Sequence, residues 1–156
     1  MAGIGPTANK LFQRKHRENV ICPRCSFKEN NKHVHLCKTP ETNHIFENAL
    51  EGLEGYLDGE CSLVLAKAII LLIRSARTRM EPNWSEIDDQ EVIKIMQEQW
   101  QFNYTAIMWG IWIPKWQSIQ DKFLKGTRKS SALWFAKVSN EIWKITEDLW
   151  QHRNHC

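Results

Sequence analysis

Cys22-Pro-Arg-Cys25 is the part of the chain best suited to chemistry, because two cysteines spaced in this way can chelate one ion from a single tight turn. Seven residues separate Cys25 from His33, and three separate His33 from Cys37. One helical turn would place His33 and Cys37, at i and i+4, on the same side. Three thiolates and an imidazole complete a closed tetrahedron, the arrangement of structural zinc, with no coordination position left for a reacting water. The expectation is one Zn2+ held by Cys22, Cys25, His33 and Cys37. His35 competes for the fourth place, but so close to Cys37 it needs an extended local chain. Two buried cysteines beside unrelated polar residues would be the plainer reading. That reading leaves four donors within sixteen residues of polar sequence unexplained. Metal binding should couple to folding of this segment, at about 10–16 kcal/mol apparent free energy in zinc-finger peptides.

No other group of residues carries as much. Asp88, Asp89 and Glu91 sit near Ser85 at an expected helix start, where carboxylates are stabilising without any catalytic duty. His152, Arg153, Asn154 and His155 are adjacent in sequence, and a His-Asn-His nuclease needs its base and metal ligands from separate elements. No catalytic residue is expected. Trp109, Trp112 and Trp116 lie among Ile107, Met108, Ile111 and Ile113, which reads as core rather than as a stacking platform. Lys122, Lys125, Arg128 and Lys129 surround the Gly126 turn and read as a solvated loop.

The elements that would position these residues are helical. Residues 1–20 form a basic flexible arm, 21–38 the zinc-binding segment and 39–156 a helical domain. Thr39 and Pro40 suit the N-cap and first position of a helix bearing Ile45, Phe46, Ala49, Leu50, Leu53 and Leu57 on one face, ended by Gly59. A second helix spans Ser62 to Arg77. A third is expected to start at Ser85, carry Val92, Ile95, Met96 and Trp100, and continue through Tyr104 and Met108 to Gly110. Pro114 breaks that pattern, and a shorter helix follows with Trp116, Ile119 and Phe123 on one side. The last helix, about Ser131 to His152, has the clearest periodicity: Phe135, Val138, Ile142, Ile145 and Leu149 step by three and four. Trp143 is expected to be buried beside them. The fold class is therefore all-α, a small N-terminal zinc-bound loop followed by a bundle of about five helices.

At 156 residues, with 42% hydrophobic content and eight tryptophans, the chain can bury a core of this kind. Its net charge of +3 is unevenly spread. Residues 1–45 hold eight Lys/Arg against three acids, residues 46–100 five against eleven, and residues 101–156 eight against four. Lys10, Arg14, Lys15 and Arg17 on the arm, with Arg24 in the cysteine turn, are the expected nucleic-acid contacts, since phosphate binding is largely electrostatic. Residues 1–20 lack the apolar run of a secretory signal. The longest apolar stretch, Leu63 to Ile73, is too short for a bilayer. These observations, with five cysteines, suggest an intracellular, reducing compartment (nucleus or cytoplasm) and metal binding rather than disulfides. RNA or DNA is the expected partner. No membrane partner and no small-molecule substrate are evident.

Cys22-Pro-Arg-Cys25, Lys32-His33-Val34-His35-Leu36-Cys37 and Pro40-Glu41 resemble the zinc-binding segment that follows the polymerase domain in non-LTR retrotransposon reverse transcriptases. The ending Leu149-Trp150-Gln151-His152-Arg153-Asn154 is similar to the Trp-x-His-Arg-Asn ending of many retroelement-derived open reading frames. Together these motifs cover about half the chain. No Tyr-x-Asp-Asp polymerase motif is present, and no nuclease motif stands out. The resemblance implies a zinc-containing, non-catalytic, nucleic-acid-associated piece of the C-terminal part of such a protein. A structural or protein-interaction remnant with a fold-stabilising zinc is the alternative, and a nuclease a distant third.

Overall fold

The computed structural model of the protein describes residues 20–156. The basic arm, with Lys10, Arg14, Lys15 and Arg17, lies outside the described residues. Six α-helices and no β-strand occur among the described residues: α1 Asn31–Leu36, α2 Pro40–Leu57, α3 Leu63–Thr78, α4 Gln90–Phe102, α5 Trp116–Leu124 and α6 Ser131–His155. None of them is long and apolar enough to cross a membrane. The chain forms two compact units. One contains the described residues up to Ala49 together with Ile145–Cys156, and the other is Leu50–Lys144.

The helix boundaries follow local chemistry. Thr39 Oγ1 accepts the Thr42 N–H at 3.2 Å, and Pro40 opens α2 where its missing N–H costs nothing. Ser62 caps α3 in the same way, accepting from Leu65 N at 3.3 Å. The third helix departs from the sequence expectation. Ser85 is not its cap, because the Asn83 side chain accepts both the Ser85 hydroxyl (2.7 Å) and its N–H (3.3 Å), which winds 84–86 into a short 3-10 turn. Asp89 caps α4 instead, with Oδ1 accepting from Glu91 N and Val92 N. Nor does α4 reach Gly110. Asn103 is extended and its side chain binds the Thr105 N–H and hydroxyl, a local bond that competes with the helix. A separate 3-10 turn, Ala106–Trp109, follows.

In the Leu50–Lys144 unit, α3 packs on α4 and on the 106–109 turn. Leu65, Ile69, Leu72 and Ile73 of α3 are buried. The connection from Gly110 to Trp116 is organised by one buried side chain, Gln99. Its amide nitrogen donates to the Ile111 carbonyl at 3.0 Å, while its oxygen accepts Ile113 N (2.9 Å) and Trp116 Nε1 (3.0 Å). Gly110 has φ +70, and a Cβ there would lie 2.7 Å from Ser139 Cβ, so both its conformation and its surroundings require glycine. Trp116 is fully buried, and Trp112 donates to Ser139 Oγ at 2.9 Å. The core reading thus holds for Trp116, while Trp109 and Trp112 are half-buried.

Two further expectations shift at α5 and α6. Phe123 is exposed, and the buried face of α5 runs through Trp116, Ile119, Gln120 and Leu124. Gln120 can be buried because its amide donates to the Glu60 carbonyl at 3.0 Å. On α6 the stripe Phe135, Val138, Ile142, Ile145, Leu149 is buried throughout, but Trp143 is 39% exposed and sits at the edge of that face. Its Nε1 donates to the Trp109 carbonyl at 2.7 Å. Ile142→Ala should therefore destabilise by about 2–5 kcal/mol. Trp143→Ala should cost about 2 kcal/mol, below the roughly 3–5 kcal/mol of a fully buried tryptophan, because part of its ring already meets water. Denaturant melts of both variants check this, and a loss at Trp143 in the full-burial range would contradict its edge position.

Candidate metal centre

The cysteine turn is a small hairpin. Ile21 and Lys28 form an isolated antiparallel bridge, Cys22 N donates to the Phe27 carbonyl (2.8 Å), and Ser26 N donates to the Cys22 carbonyl (3.0 Å). Ser26 takes the left-handed conformation, φ +63, that closes so tight a turn. Glu29 N bonds the Val20 carbonyl at 2.7 Å and completes the hairpin. The next residue, Asn30, caps α1 by accepting the His33 N–H at 2.8 Å. His33 lies one turn before Cys37, whose N–H bonds the His33 carbonyl at 2.8 Å. The Cys37 carbonyl is in turn fixed by the buried Thr42 hydroxyl at 2.7 Å.

These constraints bring Cys22, Cys25, His33 and Cys37 together. Their sulfur and imidazole nitrogen atoms all lie within 4.8 Å of one another. Around a tetrahedral ion with bonds of about 2.3 Å, neighbouring sulfurs would be about 3.8 Å apart, so the cluster has the dimensions of a metal site. Cys25 Sγ and His33 Nε2 are 3.1 Å apart, which puts Nε2 on the cluster side of the ring. His35 is buried but outside the four-donor group. Burial, opposed by the Phe27 backbone and helped by the neighbouring thiols of Cys37 and Cys22, pushes the Cys25 thiol up to about 11. A cation is what reverses such crowding, because it favours the thiolate.

Of the remaining cysteines, Cys61 is buried and its thiol is pushed up to about 12 by that burial, and Cys156 is exposed. Neither belongs to the cluster.

Arg24 was expected at a nucleic-acid surface. The structure directs its guanidinium inward: one terminal nitrogen donates to the Val34 carbonyl at 2.6 Å and the other to the Leu149 carbonyl at 3.1 Å. A second arginine, whose part the sequence reading missed, does comparable work. Arg153 grips the fully buried Glu29 carboxylate through Nε (3.2 and 3.1 Å) and a terminal nitrogen (2.6 Å). Its guanidinium also lies 5.5 Å from the centre of the Trp150 ring. One signal was available in the sequence: Glu29 is the only acid between residues 20 and 38. Its partner, 124 positions away, was not recoverable from local pattern. The other constellations have ordinary roles. Asp89 caps α4, and Lys122 pairs with Glu91 across an exposed 2.7 Å contact.

Compared with protein-family models, with characterised proteins and with solved structures, the chain finds no match.

Elemental analysis of reduced protein should find about one metal ion per chain, and Cys22→Ser or Cys25→Ser should lose it. Because the Cys25 thiol keeps its proton up to about 11, ion and proton compete for that sulfur. Apparent metal affinity should therefore fall by about tenfold per pH unit on account of Cys25 as pH is lowered. Competition titrations between about pH 6 and 8 would show this, and a pH-independent affinity would contradict thiolate ligation at the cluster.

Proposed function

We propose that this chain is a zinc-stabilised, non-catalytic module that associates with nucleic acid, derived from the C-terminal part of a retroelement reverse transcriptase. The observation that carries the reading is the four-donor cluster of Cys22, Cys25, His33 and Cys37. A thiolate-rich tetrahedral set favours zinc over the hard divalent cations, and four protein donors leave no open position for a substrate. The ion's contribution is then to fold the segment around it.

Charge supports the nucleic-acid part. Lys28, Lys32 and Lys38 are exposed, whereas the single acid of this segment, Glu29, is buried and neutralised by Arg153. The outer face of the metal segment therefore offers cations with no opposing carboxylate of its own. Phe27, 72% exposed at the hairpin, is an aromatic ring of the kind on which an unpaired base stacks. Lys10, Arg14, Lys15 and Arg17 add charge from the same end of the sequence. The inward bonds of Arg24 favour the second reading, a structural or protein-interaction module whose zinc only stabilises the fold.

Salt dependence separates the two. Each neutralised phosphate of a single strand contributes a slope near −0.7, so about four contacts would weaken binding roughly fifty-fold between 50 and 200 mM salt. Replacing Lys10, Arg14, Lys15 and Arg17 with Ala should flatten that slope and leave the helical signal unchanged. A titration with no RNA or DNA binding at about 50 mM salt, on metal-loaded protein, would leave the structural reading standing.

A further inference from the structure

We propose that the last turns of α6 form a latch on the metal lobe, closed by Arg153 and released when the metal leaves. The inference rests on the metal reading and extends it to the C-terminal motif.

Two of the attachments that hold this helix end come from the metal segment. Arg24 sits between the ligands Cys22 and Cys25, and it binds the carbonyl of Val34, the residue after the ligand His33. Its other nitrogen reaches Leu149 on α6. Glu29 closes the same hairpin through its backbone and receives Arg153 through its carboxylate. Leu149 and Arg153 are one helical turn apart, so the two attachments stack along one side of α6. Arg24 and Glu29 both lie on the hairpin, and the four ligands are what join that hairpin to α1, where Arg24 finds the Val34 carbonyl. Without an ion, the hairpin keeps one isolated bridge with a few backbone bonds and α1 only six residues, too little for independent stability. Loss of the ion lets Arg24 and Glu29 drift, and Arg153 can no longer stay buried beside a misplaced partner. By reciprocity, a defect in the latch must weaken metal binding by the same factor that metal loss weakens the latch.

Hydrogen exchange on the full chain, zinc-loaded and then stripped with a chelator under reducing conditions, tests this. Removal should raise exchange in residues 20–38 and in 145–156 together, while α3 stays protected. Protection of 145–156 that survives in metal-free protein overturns the latch. A chain that never holds metal overturns the metal reading itself. In the reverse direction, Arg153→Gln and Glu29→Gln should each weaken zinc affinity roughly five-fold or more in competition titrations, with Arg153→Lys restoring part of the loss. A purely structural ion pair would lower the melting temperature of loaded and stripped protein alike and leave zinc affinity unmoved. That result, in variants with a native helical signal, would also overturn the proposal.

Discussion

Glu29 has no exposure to water, and an isolated carboxylate in that position would be expensive to keep ionised. Arg153 makes it tolerable through a forked, charge-assisted set of hydrogen bonds from two guanidinium nitrogens. A buried pair of this kind adds little net stability over an apolar contact, because both partners give up their hydration. Removing one member is another matter, costing about 3–5 kcal/mol, since the remaining charge is left uncompensated. The pair therefore acts as a specificity device. It accepts one placement of the helix end against the metal segment and penalises the others. The hairpin, the cap of α1 and the inward turn of Arg24 are all consistent with that single placement.

Buried polar groups organise the Leu50–Lys144 unit in a related way without charge. Gln99 satisfies three partners from a position that is 1% exposed, and so fixes an irregular connection that has no helical hydrogen bonds of its own. Gly110 lets that connection pass within contact of Ser139, whose hydroxyl takes the Trp112 indole and donates back to Phe135. Trp112, Trp116 and Trp143 serve as packing with a polar end, their indole nitrogens each finding an acceptor, whereas the buried Trp134 nitrogen finds none among the described residues.

Much of this was legible from local pattern. The spacing of Cys22, Cys25, His33 and Cys37 is a short-range property, and α1 supplies the helical turn that the i, i+4 pair requires. Thr39-Pro40 and Ser62 announced α2 and α3, and the stripe on α6 was continuous enough to identify its buried face. Failures arose where two local signals competed or where the partner was distant. Ser85 and Asp89 are both good caps, and only the prior engagement of Ser85 by Asn83 decides between them. Trp143 is one position from the buried stripe, a rotation of about 100° that hydrophobicity alone does not resolve. Arg24 reads as a phosphate contact because it carries charge beside the basic arm, and phosphate binding is largely electrostatic. Its two carbonyl acceptors become visible only in three dimensions.

The separation between Glu29 and Arg153 also has a consequence for synthesis. The cysteine segment leaves the ribosome long before the arginine that completes its lobe, with 124 positions of chain to be added between them. At about 5–20 residues per second, that interval lasts roughly 6–25 s. Throughout it the thiols are in place but the forked contact from Arg153 to Glu29 has not formed. Any ion captured during translation is held by an unfinished lobe, and the final affinity develops only after the helix end has been made. The last step of folding is then a long-range closure, which is intrinsically slow relative to the formation of the helices themselves.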